Sequence, residues 1–348
     1  MNLRNKNIYF LLLNSTLCLL QNISCPANLV RNSTRCLIGL GERMKVITTA
    51  GNKGGIGKST IALTLAQYLA KCKNMKGAFI DLDPQGNSSS SLIPTTRDPS
   101  HPTGYMPKAH PEWDPDNLPE DDLHWDGVSS IADIFTGKSI YPYPTWVENL
   151  QCFPSFASLL EDAQRVLKVD VKEKVINRLK EFTALLSTHS DYEFIIIDTN
   201  PQFGPLTMAG LRAATHGLLP TELEQYGING TIGMIEAISQ EQMRRQKDDT
   251  IKIAGILPNQ VRKTAVHTKF LNDLRSIEKS EEWLLPPIGQ RTIYTELVVE
   301  NARPNCVFNL GPAHPARVES ERWCSYVYDR VFKNVYNKVY EGEDVSNG

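Results

Sequence analysis

The chain has no cysteine pair at metal-ligand or redox spacing: Cys18, Cys25, Cys36, Cys72, Cys152, Cys306 and Cys324 are scattered over 348 residues. That pattern excludes a zinc ribbon, a thioredoxin-type centre and a disulfide framework, and reduced buried thiols suit a cytoplasmic protein. The seven histidines are as dispersed, and none falls in a recognisable ligand set. Long hydrophobic runs are missing too. The longest, Ile8 to Leu20, is broken by Asn14, Ser15 and Thr16 and is shorter than a spanning helix requires. No internal repeat occurs, and no helix-turn-helix segment precedes the first strand pattern, so operator recognition by this chain alone is not expected.

The net charge of -2 says little, because it averages unlike segments. Residues 1 to 43 carry Arg4, Lys6, Arg31, Arg35 and Arg43 against Glu42 alone. Residues 91 to 126 carry eight acidic residues against Arg97 and Lys108, together with seven prolines and Trp113, Tyr105 and Trp125. A proline-rich stretch of that kind cannot donate a regular hydrogen-bond ladder, so an extended surface excursion is expected there. It is read either as a partly disordered insertion or as a partner-contacting loop. Arg4 and Lys6 before an apolar run resemble a secretory signal. Met44, however, stands directly before the first strand, so residues 1–43 are expected to be an upstream extension outside the fold, with a membrane anchor as the rival reading. The tail 341–348 is expected to be disordered.

The strongest signal is Asn52-Lys53-Gly54-Gly55-Ile56-Gly57-Lys58-Ser59-Thr60. It follows the strand pattern Val46–Ala50 and opens a helix with apolar positions Ile61, Ala62, Leu65, Ala66 and Leu69. Gly54, Gly55 and Gly57 clear side chains from the path of a polyphosphate, so backbone N–H groups can approach it. The helix N-terminus adds its unpaired N–H groups and positive dipole end. Lys58 would reach the outer phosphates, and the Ser59 hydroxyl would ligate a bridging magnesium. Asn52 stands where the strict pattern asks for glycine, a position asparagine tolerates better than most residues.

Two further segments carry acids. Gly77-Ala78-Phe79-Ile80-Asp81-Leu82-Asp83-Pro84-Gln85-Gly86-Asn87 is an apolar strand whose two carboxylates, one residue apart, are expected on one face. In the segment Tyr192 to Pro201, Phe194 to Ile197 is an apolar run ending in Asp198, as in a strand buried on both faces with its acid at the carboxyl end of a sheet. Asp198 there can accept from a magnesium-bound water.

With Lys53 added, the three segments in this order resemble the ParA/MinD family of deviant Walker A P-loop ATPases, most of all its ParA-type partition members, from Met44 to about residue 310. The resemblance implies an α/β fold, a doubly wound, mostly parallel sheet with helices on both faces, in a domain spanning 44–340. It implies an ATPase using ATP and Mg2+, with Lys53, Lys58 and Asp83 catalytic and Ser59 and Asp198 on the metal. Lys53, Gly54, Gly55, Ile56, Gly57, Lys58, Ser59 and Thr60 would hold the nucleotide. In that family the first lysine crosses a dimer interface to the partner's nucleotide, and the second aspartate of the Asp-x-Asp segment positions the attacking water; a solvated surface lysine is the plain alternative for Lys53. The family follows its Walker B acid with a proline pair, which Thr199-Asn200-Pro201 keeps only in part. Ser130 to Phe135, Leu150 to Ser155, Leu218 to Glu222 and Ile253 to Asn259 are similar to its later elements, and Asn259 reads either as a base contact or as a turn-stabilising residue.

The implied partners are a second copy in an ATP-dependent homodimer, non-specific DNA and a ParB-like adaptor on the cargo, in a cytoplasmic, nucleoid-associated protein. Arg262, Lys263, Lys269, Arg275 and Arg291 are the candidate DNA-facing cations, with solvated helix faces as the plain alternative. A MinD-like membrane-positioning ATPase is the alternative function. It rests on a stripe from Glu319 to Tyr340 in which Trp323, Val327, Val331, Val335 and Val339 recur every four residues. Beta-branched valines interspersed with Asp329, Asn334 and Asn337 favour a helix docked on the sheet instead. A P-loop tyrosine kinase, suggested by Tyr326, Tyr328, Tyr336 and Tyr340, lacks the paired-lysine loop.

Overall fold

A computed structural model describes residues 44–51, 53–118, 125–277, 280–297 and 305–336. The N-terminal extension, Asn52, Pro119 to His124 of the acidic stretch, and Asn337 onward, with Val339 and the tail, lie outside the described residues.

Nine strands occur among them: β1 Lys45–Thr49, β2 Gly77–Asp81, β3 Thr95–Arg97, β4 Tyr105–Pro107, β5 Tyr143–Pro144, β6 Leu150–Phe153, β7 Phe194–Asp198, β8 His216–Glu222 and β9 Lys252–Asn259. The longer helices are α1 Lys58–Gln67, α2 Asn87–Leu92, α3 Ala157–Gln164, α4 Val169–His189, α5 Pro205–Ala213, α6 Gln225–Arg244, α7 Ala265–Arg275 and α8 Pro315–Phe332. Seven strands form one sheet in the order β5-β6-β2-β7-β1-β8-β9. All its pairings are parallel except β5 with β6.

Continuous apolar strands make this sheet because both of its faces are covered. Along β7, Phe194 and Ile196 point into one core with Phe79, Leu65 and Leu69, while Ile195 and Ile197 point into the other with Ile80, Leu179 and Phe182. The stripe of α8 joins the first of these cores through Trp323, Val327 and Val331, all buried. Docking therefore accounts for these three positions of the stripe, as its composition predicts. The helix begins earlier than its periodicity suggests, at Pro315, and ends at Phe332. Asn334 then takes the left-handed conformation with φ 55, and Val335 is exposed. Among the described residues no helix is long and apolar enough to cross a membrane.

The insertion departs from the sequence expectation, since β3 and β4 form an antiparallel ladder. Lys108 N–H donates to Pro94 O and Asp98 N–H to Gly104 O, which leaves Thr95 opposite Pro107 as a non-hydrogen-bonded pair. The missing N–H of Pro107 thus falls where no ladder bond is due. Beyond the hairpin, His110 lies edge-on to Tyr143, Trp125 stacks on Tyr141 at 4.0 Å, and the Trp113 Nε1–H donates to Trp125 O.

Candidate active site

Register places the chemistry. Asp198 lies beside Thr49 of β1 on one side and Asp81 of β2 on the other, so one row of the sheet carries all three at its carboxyl edge. The glycine loop leaves β1 at this edge, the position that open α/β sheets give their ligands. Gly55 and Gly57 take φ +81 and +83, which an L side chain rarely adopts. Lys58 is the first residue of α1. Its buried ammonium donates to Lys53 O at 2.8 Å, across the mouth of the loop. Burial pushes the Lys58 pKa down, against the pull of Asp198 and Asp83.

The loop is bolted from β9. Asn259 Nδ2 donates to Ile56 O at 2.9 Å, and Gln260 Nε2 donates to Gly55 O at 2.7 Å. The amide of Asn259 thus does what a turn-stabilising asparagine does. Alongside runs a groove of about 650 Å³, lined by Gly57, Thr60, Asn259, Gln290, Arg291 and Tyr294 among others.

The acids divide their work. Asp198 is fully buried; its Oδ2 accepts from Ser88 Oγ at 2.7 Å and its Oδ1 from Thr49 Oγ1 at 3.4 Å, and the Ser59 hydroxyl also bonds to it. Burial raises its pKa, and the Ser88 and Ser59 hydroxyls work in the opposite direction. Asp81 and Asp83 do not share a strand face as the spacing predicts, because β2 stops at Asp81. Asp81 turns inward, with Oδ2 accepting from Ser89 N at 2.8 Å and Ser89 Oγ at 2.6 Å, and is a structural anchor. Asp83 stands half-buried beyond the strand end; its carboxyl accepts from Gln85 N at 3.0 Å and its pKa is raised by burial.

Lys53 finds its partners off the loop. Its ammonium pairs with Glu222 Oε2 at 2.5 Å and with Glu224 Oε1, at the end of β8 and the start of α6. Those hydrogen bonds, Glu222's first, raise its pKa. Glu222, Glu224, Gln260, Ser88 and Ser89 escaped the sequence reading as site residues. Glu222 could have been found by the logic that found Asp198, since it too closes an apolar strand at the carboxyl edge.

Among the DNA-facing candidates, Arg262, Lys263, Lys269 and Arg275 are exposed on or beside α7. Arg291, partly exposed, is paired with Glu319 through Nε at 3.0 Å and Nη2 at 2.7 Å and lines the groove.

The donor set fits magnesium. Ser59 and Asp198 offer hard oxygen ligands, and an ion held mainly by phosphates needs few more from the protein. Among the described residues no group of three His, Cys, Asp or Glu side chains is placed to hold a metal without a phosphate.

A glycine loop at a helix N-terminus, beside a buried strand-end carboxylate, defines a P-loop nucleotide-binding protein. Residues 44–253 match the family model described as an AAA domain, and the chain belongs to that family, within it to the ParA/MinD-type P-loop ATPases. It is 29% identical over 224 residues to the chromosome partitioning protein ParA of Myxococcus xanthus, covering 63% of this chain and 68% of that one. It is also 29% identical over 213 residues to the sporulation initiation inhibitor protein Soj of Bacillus subtilis, covering 61% and 71%. In fold it is similar to a Cyanothece McdA variant solved as an ATP complex, with TM-score 0.62 and 19% identity over 86% of this chain and 100% of that one. Family membership implies ATP hydrolysis.

Proposed function

We propose that the chain is a partition ATPase that sandwiches ATP between two copies, holds DNA without sequence preference, and releases it when a cargo-bound adaptor stimulates hydrolysis. The observation that carries this reading is the opposed placement of the two lysines on one loop. Lys58 is buried and bonded to the loop's own Lys53 O, whereas the Lys53 ammonium is partly exposed and paired off the loop with Glu222 and Glu224. An ammonium not committed to its own loop is available to a second site.

Bound magnesium, on Ser59 and Asp198, would neutralise charge on the β- and γ-phosphates. The protein's share is positional. Backbone N–H groups of Gly54 to Thr60 and the Lys58 ammonium orient the triphosphate, and the Asp83 carboxylate holds the attacking water in line. Lys53 of the partner subunit completes the charge stabilisation. Asn259 and the neighbouring groove would take the nucleoside. Arg262, Lys263, Lys269 and Arg275 would meet phosphates, which gives affinity with steep salt dependence and no base readout. The protein would then sit in the cytoplasm on the nucleoid.

DNA co-sedimentation with and without ATP, comparing Lys53→Ala with the unmodified chain, tests this reading. ATP should carry the unmodified chain onto DNA, with binding that collapses on raising salt, and Lys53→Ala should stay in solution. Single protomers alone in ultracentrifugation at saturating non-hydrolysable nucleotide would refute the sandwich.

A further inference from the structure

We propose that Ser155 is a positioning residue for the water-orienting carboxylate, and that the β3–β4 hairpin braces it; this rests on the ATPase reading above. Asp83 lies in the turn between β2 and α2, where strand pairing no longer fixes the backbone. Its carbonyl is held from two sides. Gly86 N–H donates to it at 3.0 Å from within the turn, and Ser155 Oγ donates to it at 2.7 Å from the far end of β6. Ser155 is itself buried, and its N–H donates to Ser89 Oγ at 2.9 Å, the same hydroxyl that donates to Asp81. One residue therefore ties the Asp83 turn to the anchor at the sheet edge. A backbone fixed on both faces fixes the direction in which the Asp83 side chain leaves it.

The hairpin secures Ser155 from outside. Asp98, buried at the end of β3, accepts from Ser158 N at 2.9 Å and so caps α3 three residues beyond Ser155. Gly104 packs so closely on Ala157 that a Cβ there would lie 2.1 Å from the alanine methyl. His101 faces Glu161 of α3 at 3.5 Å. The hairpin also reaches the turn directly: Thr103 Oγ1 donates to Gln85 Oε1 at 3.2 Å, and Tyr105 lies against Gly86. A proline-rich insertion that begins eight residues after Asp83 thus returns to clamp both the turn and its support.

The test compares Ser155→Ala, Ser155→Thr and Asp98→Ala with the unmodified full chain, using single-turnover ATP hydrolysis, nucleotide affinity, and amide exchange of the nucleotide-free protein. Ser155→Ala should lower the hydrolysis rate by about 10-fold with affinity unchanged within about twofold. Exchange should quicken across residues 81–92 and stay unchanged in β1 and β7. Ser155→Thr, which keeps the hydroxyl, should restore both. Asp98→Ala should move both readouts the same way by less; leaving them unmoved would remove the hairpin from the assignment. Hydrolysis and exchange both at the unmodified level in Ser155→Ala would overturn the proposal. So would a loss of affinity equal to the loss of rate with exchange raised throughout the sheet, which marks a general structural role. An unmodified chain that turns over no faster than Lys58→Ala would overturn the ATPase reading and the kinetic half of the assignment; the nucleotide-free exchange comparison would still decide whether Ser155 holds the turn.

Discussion

Removing the Asn259 amide should loosen the phosphate loop by an amount the structure lets us work out. The Asn259 Nδ2 bond to Ile56 O, 2.9 Å and buried, ties β9 to the loop residue directly before Gly57. Asn259→Ala deletes the bond and leaves a buried carbonyl without its donor, which together cost about 1–3 kcal/mol. Where that cost falls on the loop alone, the competent conformation becomes scarcer and nucleotide affinity drops by about 5- to 150-fold. Gln260→Ala removes an exposed bond to Gly55 O and should cost under about 1 kcal/mol. Gly57 supplies a second test of the same contact. At φ +83 a Cβ is strained in any background, by about 1–2 kcal/mol. In this background it would also lie 2.4 Å from Asn259 Nδ2. Gly57→Ala should therefore destabilise less in Asn259→Ala than in the unmodified chain, with a coupling above about 1 kcal/mol in a urea-unfolding double-mutant cycle. Fluorescent-nucleotide titration of Asn259→Ala supplies the affinity. Unchanged affinity with unchanged unfolding, or strict additivity in the cycle, would refute the claim that Asn259 bolts the loop.

His216 is buried at the start of β8, and burial, with Lys45 and Lys252 nearby, lowers its pKa from 6.5 to about 3. The unfolded chain then binds more protons than the folded one between those values, so this group's contribution to stability is level above pH 6.5 and falls as the pH drops below it; relative to His216→Leu, the unmodified chain should lose about 2–3 kcal/mol between pH 6.5 and 4.5, and parallel urea-unfolding curves would count against this. Arg330, 1% exposed, donates to Ala254 O, Trp283 O and Leu284 O, joining α8 to β9. Arg330→Met should destabilise by about 2–4 kcal/mol because three carbonyls lose their donor, and a loss under about 1 kcal/mol in chemical denaturation would show that water or repacking replaces the guanidinium.

The parts of the fold that follow from local pattern were readable in the sequence. A run such as Phe194–Ile197 has no polar position to turn toward water, so it requires cover on both faces, and the row of Thr49, Asp198 and Asp81 follows once the strands pair in parallel. What stayed hidden depends on contacts between distant residues. The Asp-x-Asp spacing suggests a shared face only while the strand lasts, and β2 ends two residues short of Asp83; Ser89, eight residues on from Asp81, decides that Asp81 turns inward. Composition misled about residues 91–126 because prolines bar a ladder only where a donor is due, and Pro107 occupies a position where none is. Nothing near Arg291 in sequence announces Glu319, 28 residues away, which commits that guanidinium to the groove.

The two loop lysines show how burial can divide labour between identical side chains. An ammonium that stays with its own loop can be sunk in it: Lys58 is 6% exposed, and its displacement would strip a buried charge of its carbonyl partner and of the nearby Asp198 and Asp83. A cation that serves a second subunit cannot be held so firmly. Lys53 sits half-exposed against two carboxylates, themselves partly in solvent, and ion pairs of that kind contribute about 0–1 kcal/mol each. On the proposed sandwich, Glu222 and Glu224 would hold Lys53 in the single chain and yield it to a partner's triphosphate, whose charge is greater and whose site would be drier. Five residues of one loop would in this way give one fixed and one transferable positive charge, which is what the proposed joining of two copies by a nucleotide requires.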